Sequence, residues 1–144
     1  MAGADSTDIL AAYETVRNDK EEMNWLLISY TSGSKVELTA TGSGGLAELA
    51  EKLDPKQAQY AYARVEYAND SESTRVKFVF ITWLGEQCPV MRKARVSVES
   101  GGVKQVLHQH HINIEARDVA DIEETAVVTR LRKAGGADYN GGRG

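Results

Sequence analysis

Arg75-Val76-Lys77-Phe78-Val79-Phe80-Ile81-Thr82-Trp83 is the stretch on which the fold turns. β-Branched and aromatic residues fill it, which predicts a strand, and strand side chains alternate between two faces. From Phe78 onward both faces are apolar or nearly so. A strand of that kind belongs in the middle of a sheet covered by helices on both sides, since a face turned to water would carry polar residues at every second position. Immediately upstream, Ala68-Asn69-Asp70-Ser71-Glu72-Ser73-Thr74 reads as a polar turn, and residues 60–67 read as the strand that enters it.

The pattern extends in both directions. Trp25-Leu26-Leu27-Ile28-Ser29-Tyr30 and Val36-Glu37-Leu38-Thr39, separated by Thr31-Ser32-Gly33-Ser34, predict a hairpin. Before it, Ser6 and Thr7 are good N-caps for an amphipathic helix with Ile9, Ala12, Tyr13 and Val16 on one face, interrupted at Asn18-Asp19. Leu46, Leu49, Ala50 and Leu53 predict a second, short helix between the glycine-rich residues 41–45 and Asp54-Pro55. Ile112-Asn113-Ile114-Glu115 alternates as a short strand, and Asp118 is expected to cap a final helix running to about Lys133. That helix has acids near its start (Asp121, Glu123, Glu124) and bases at its end (Arg130, Arg132, Lys133), as the helix dipole favours. Local pattern leaves residues 89–109 open. Val96-Ser97-Val98 favours a strand and Gly101-Gly102 weakens a helix, whereas Pro89 suits a first helical position and Val103, Val106 and Leu107 have helical spacing for one long bent helix.

The chain has 144 residues, which suits one domain with a single core, and 42% hydrophobic with 26% charged residues is a globular composition. The division expected is a folded domain over residues 1–134 and a glycine-rich, mobile tail over residues 135–144. A net charge of −4 speaks against a general nucleic-acid binder. Cys88 is the single cysteine, so neither an internal disulfide nor a thiolate zinc cage is expected, and a reducing cytoplasmic setting follows. Neither a signal peptide nor a membrane span is legible.

Candidate chemistry is sparse. Thr41-Gly42-Ser43-Gly44-Gly45 precedes a helix but lacks the lysine of a phosphate-binding loop, and reads as a plain loop. His108, His110 and His111 have no carboxylate or thiolate at a metal-ligand spacing and read as surface residues, Cys88 as a half-buried structural thiol, and Trp25 and Trp83 as core. The pairs Asp19 with Glu22 and Asp121 with Glu124 read as solvated caps. No catalytic group, metal or cofactor is expected, and the chain reads as a non-enzyme. The basic residues Arg75, Lys77, Arg92, Lys93, Arg95, Arg130, Arg132 and Lys133 cluster in an otherwise acidic chain, and together they suggest a surface for an acidic protein partner.

Three segments resemble a known family: Ala12-Tyr13-Glu14-Thr15-Val16-Arg17-Asn18-Asp19, Lys77-Phe78-Val79-Phe80-Ile81-Thr82-Trp83-Leu84-Gly85-Glu86, and Leu131-Arg132-Lys133-Ala134-Gly135-Gly136-Ala137-Asp138-Tyr139-Asn140. Collinear over nearly the whole chain, they are similar to the actin-depolymerising factor/cofilin (ADF-H) family, in its coactosin branch. The resemblance implies an α/β fold with a mixed five- or six-stranded sheet between helices, and it implies a long actin-facing helix over residues 89–109. It also implies a monomeric, cytoplasmic, cytoskeletal protein that binds along actin filaments, with binding of monomeric actin left open. Filament binding without strong severing or depolymerisation is the role implied for this branch; an adaptor or chaperone-like partner of another cytosolic protein is the alternative. Arg75, Lys77, Arg130, Arg132 and Lys133 map to one actin-binding surface of the family, and Lys93, with Arg92 and Arg95 nearby, maps to the other. Met91 and Ala94 depart from the cofilin pattern, which has a lysine and a methionine there.

Overall fold

In the computed structural model, residues 3–68 and 73–135 are described. Ser6 accepts the amide of Ile9 at 3.3 Å and starts α1, Thr7–Arg17, which ends at Asn18. The hairpin follows as β1, Trp25–Ser32, and β2, Lys35–Gly42. β2 runs through Gly42, so Thr41 and Gly42 of the expected glycine-rich loop are strand, Ser43 and Gly44 remain loop, and α2 begins at once, at Gly45–Lys52. The two long strands are β3, Ala58–Ala68, and β4, Thr74–Leu84; the turn expected between them falls largely on residues 69–72, outside the described residues. The expected tail, from residue 136 onward, is outside them too.

The sheet has five strands in the order β2-β1-β3-β4-β5, where β5 is Ile112–Ala116. β4 therefore has a neighbour on each side, as its doubly apolar sequence predicts. All pairings are antiparallel except β4 with β5. A parallel partner requires a long crossover connection, and the open segment supplies it as one helix, α3, Val90–Val106. The strand alternative at Val96-Ser97-Val98 is thereby excluded, and Pro89 stands at the N-cap rather than in the first turn.

Two apolar layers sandwich the sheet. α1 and α3 cover one face, where Ile9, Val16, Val96 and Val103 meet Leu26, Tyr60, Tyr62 and Phe80. α2 and α4, Glu124–Ala134, cover the other, where Leu49, Val127 and Leu131 meet Trp25, Ala61, Val79 and Trp83. The expected final helix is corrected here. Asp118 caps only a 3-10 turn, Val119–Ile122, and the extended backbone of Glu123 (φ −60°, ψ 143°) breaks the chain before α4 begins. The Asp118 and Asp121 carboxylates close the start of that turn as a reciprocal capping box, satisfying amides that have no acceptor within the turn.

Both tryptophans are buried with their indole N–H groups satisfied, Trp25 by the Glu48 carboxylate at 2.9 Å and Trp83 by the Asp54 carbonyl at 2.8 Å. Gly85, which ends the Thr-Trp-Leu-Gly segment, lies so near the Pro55 backbone that a Cβ would overlap its carbonyl. Gly3 combines φ of 95° with an equally close approach to the Val36 carbonyl, so the N-terminal segment lies against β2. Among the described residues, no helix is long and apolar enough to cross a membrane.

Candidate partner-binding surface

The eight basic residues singled out in the sequence divide into three sets. Arg75 and Lys77 stand at the start of β4, opposite Tyr67 and Val65 of β3, and on the sheet face that α4 covers. From the end of α4, Arg132 donates to the Ala68 carbonyl at 2.7 Å, with its guanidinium 5.4 Å from the centre of the Tyr67 ring. Lys133 is exposed one residue further on. Strand pairing and helix docking thus bring Arg75, Lys77 and Arg132 around Tyr67. Among the described residues Arg75 and Lys77 make no side-chain hydrogen bond or ion pair, and their charges are available to a partner.

Arg130, although on the same helix, belongs to a second set. It donates to the Asn113 carbonyl on β5 at 2.9 Å and lines a groove of about 360 Å³ with Lys93 and Lys104 of α3. Lys104 had no signal in the sequence beyond its charge; only the crossover places it there.

Arg92 and Arg95 form the third set, and they hold the hairpin. Arg92 donates to the Gly33 carbonyl at 2.6 Å with its guanidinium 4.3 Å from the centre of the Tyr30 ring, and Arg95 reaches the Ser34 hydroxyl at 3.2 Å. Glu99 completes this tie by accepting from Ser34 at 2.5 Å and from the Tyr30 hydroxyl at 2.9 Å. Burial pushes the Glu99 carboxyl up, but the two hydroxyl donors and the guanidinium groups of Arg95 and Arg92 outweigh it and hold it below its ordinary range. Burial raises the Tyr30 phenol, and it pushes that of Tyr60, 2.7 Å away, up to about 12. The network is neutral at its phenols and anionic only at Glu99.

The outward side of α3 carries an apolar stripe. Val90, Met91 and Val98 are 80%, 79% and 82% exposed, and Ala94 is exposed among them. Met91, Ala94 and Val98 follow at helical spacing of three and four, so they form one stripe. Sequence reasoning missed Val90 and Val98, although Val98 lies seven residues after Met91 and would have been found once the helix was assumed.

The histidines lie elsewhere than a metal centre. The His111 Nδ1 accepts the Phe78 amide at 3.0 Å, and His110 packs 5.4 Å from the Phe80 ring. Burial and the nearby Lys77 ammonium lower the His111 pKa, keeping the ring neutral and able to accept. Among the described residues, no group of three or more histidine, cysteine or acidic side chains is placed to hold a metal ion. Cys88 is buried, more fully than expected, and burial raises its thiol pKa.

A five-stranded mixed sheet lies between two helical layers, and its long crossover helix leaves an apolar stripe in water, a feature that marks sites of protein contact. A family model described as cofilin/tropomyosin-type actin-binding protein matches residues 1–132. The chain belongs to that family. Coactosin of Dictyostelium discoideum is 42% identical over 144 residues, covering 99% of this chain and 98% of that protein. The crystal structure of coactosin from Entamoeba histolytica is similar at a TM-score of 0.81 and 31% identity, covering 88% of this chain and 93% of that one. The solution structure of mouse coactosin, described as an actin filament binding protein, is similar at a TM-score of 0.76 and 27% identity, with 96% of each chain covered. The resemblance to coactosin expected from the three segments, and the fold it implied, are both borne out.

Proposed function

We propose that this protein is a non-enzymatic, cytoplasmic actin-binding protein that decorates filaments without rapidly severing or depolymerising them. The observation that carries this reading is the gathering of Arg75, Lys77 and Arg132 around Tyr67, with two of the three charges unpartnered. Unpaired cations at the rim of an interface orient an acidic partner such as actin and speed its encounter. Lys133 extends the same end of the molecule. The description of mouse coactosin supports the filament as the form bound.

The second surface is weaker in this reading. Lys93 with Arg130 and the Met91–Ala94–Val98 stripe would touch a partner, whereas Arg92 and Arg95 already serve the hairpin and act by fixing α3. Where cofilins carry a lysine and a methionine, Met91 withholds a charge and Ala94 withholds a long flexible side chain. Truncating such a residue at a packed interface centre commonly costs more than about 1 kcal/mol. Decoration through the β4 and α4 end then survives, and severing does not. In this account residues 1–134 are the actin-binding unit, acting as a monomer, and residues 135–144 are a tail. Counting breaks in fluorescent filaments tests the reading. Breaks at the buffer rate are expected at saturating protein, and a rate matching a cofilin control would overturn it.

A further inference from the structure

On the sheet face opposite α3, Leu46, Ala47 and Ala50 of α2 face Val119, Ala120 and Ile122 across a groove of about 580 Å³. The groove follows the break at Glu123 that separates the 3-10 turn from α4. Its floor is apolar, and Val119 is 47% exposed there, so the groove leaves apolar surface in water. Its ionisable lining residues, Glu123 and Glu124, are both acidic and exposed, and neither has a side-chain hydrogen bond or ion pair among the described residues. Asp118 and Asp121 add two further negative charges on the same turn, held there by backbone amides. No lysine or arginine lines the groove among the described residues. It is the opposite in sign of the other end of α4, where Arg132 and Lys133 stand.

We infer that this groove is a docking site for a basic amphipathic helix of a second protein partner. Such a helix sets apolar side chains at spacings of three and four into a groove and leaves its charged flanks at the rim. Here the apolar anchors meet Ala47, Ala50 and Val119 over a floor closed by the buried Leu46 and Ile122, and lysine or arginine on the flanks meets Glu123 and Glu124. α2, with 8 residues, is about 12 Å long and offers room for about two turns of a partner helix. From Thr125 at the groove to Lys133 is about 12 Å along α4, so the site is separate from the cationic end.

The probe is a synthetic helix of about fourteen residues, roughly four turns, with leucine on one face and lysine on the other. Saturable binding to the full chain is expected, with amide shifts confined to residues 46–50 and 119–125. Ala47→Arg is expected to weaken it about tenfold or more, since an interface-centre anchor is blocked. Ala47 is exposed, so the variant should melt with the parent. Glu124→Gln gives a milder loss by removing charge alone. A peptide with glutamate in place of lysine, or serine in place of leucine, should not bind. Shifts spread over the acidic surface, or equal binding by Ala47→Arg, would overturn the proposal. So would self-association of the peptide-free chain that Ala47→Arg abolishes, because the occupant would then be a second copy. No actin is used, so this outcome is independent of the filament-binding reading.

Discussion

Arg64 is buried in the central strand and donates to the carbonyls of Val16 at 2.7 Å, Asn18 at 2.8 Å and Glu21 at 2.6 Å, fastening the exit of α1 to the sheet. Its Nε has no hydrogen-bond partner among the described residues; the Glu66 carboxylate, 3.8 Å away, is near enough for charge attraction but not for a bond. Arg64→Met keeps the apolar stem and removes the guanidinium from three carbonyls, of which, among the described residues, Asn18 alone keeps another donor, the Glu21 amide, so a loss of about 3 kcal/mol in urea melting is expected. A loss below about 1 kcal/mol would mean that water replaces the guanidinium. Arg75 and Lys77 are the converse case, since they hold nothing in place. Arg75→Ala with Lys77→Ala should change stability by only about 0.5 kcal/mol. In our reading the pair should weaken filament binding by about 2 kcal/mol or more, read from the protein concentration that half-saturates filaments. Equal binding by the double variant would move the partner surface elsewhere. The charge of these residues was legible in the sequence, and so was their strand. That Tyr67 and Arg132 would join them was not, because it depends on the β3–β4 register and on where α4 docks.

Among the elements, α3 was the hardest to read, and its structure gives the reason. A surface helix announces itself by contrast between an apolar and a polar face. In α3 the inward positions Val96 and Val103 are apolar, but so are Val90, Met91, Ala94 and Val98 on the outward side, and Gly101-Gly102 interrupts the rest. The periodicity is blurred by that second apolar face. β4 was legible for a related reason, since its two apolar faces match two real layers. The end of the chain was read as one helix because Asp118 and Lys133 bracket a plausible length; the extended backbone of Glu123, which ends the 3-10 turn at Ile122, leaves no mark in the spacing of the apolar residues. If the outward stripe of α3 meets a partner, Val98→Asp should weaken filament binding by about 1–2 kcal/mol. Thermal melting should be nearly unchanged, because Val98 is 82% exposed. A lowered melting point with unchanged binding would make the stripe a feature of stability alone.

Across the whole molecule, a net charge of −4 conceals a division. Cations gather where β4 begins and α4 ends, and along one flank of α3, while acids mark the turn and the start of α4. Composition reports only the sum, so the candidate surface was visible in outline and its three separate sets were not. The proposed contacts are exposed charges, screened within about 10 Å at 0.1 M salt. Filament binding should therefore fall steadily as salt rises, unlike that of an apolar interface. Co-sedimentation of the purified chain with polymerised actin over a salt series decides whether the protein binds filaments. Saturable pelleting at low salt that declines as salt increases is expected; a chain that stays in the supernatant at every salt concentration would overturn filament binding.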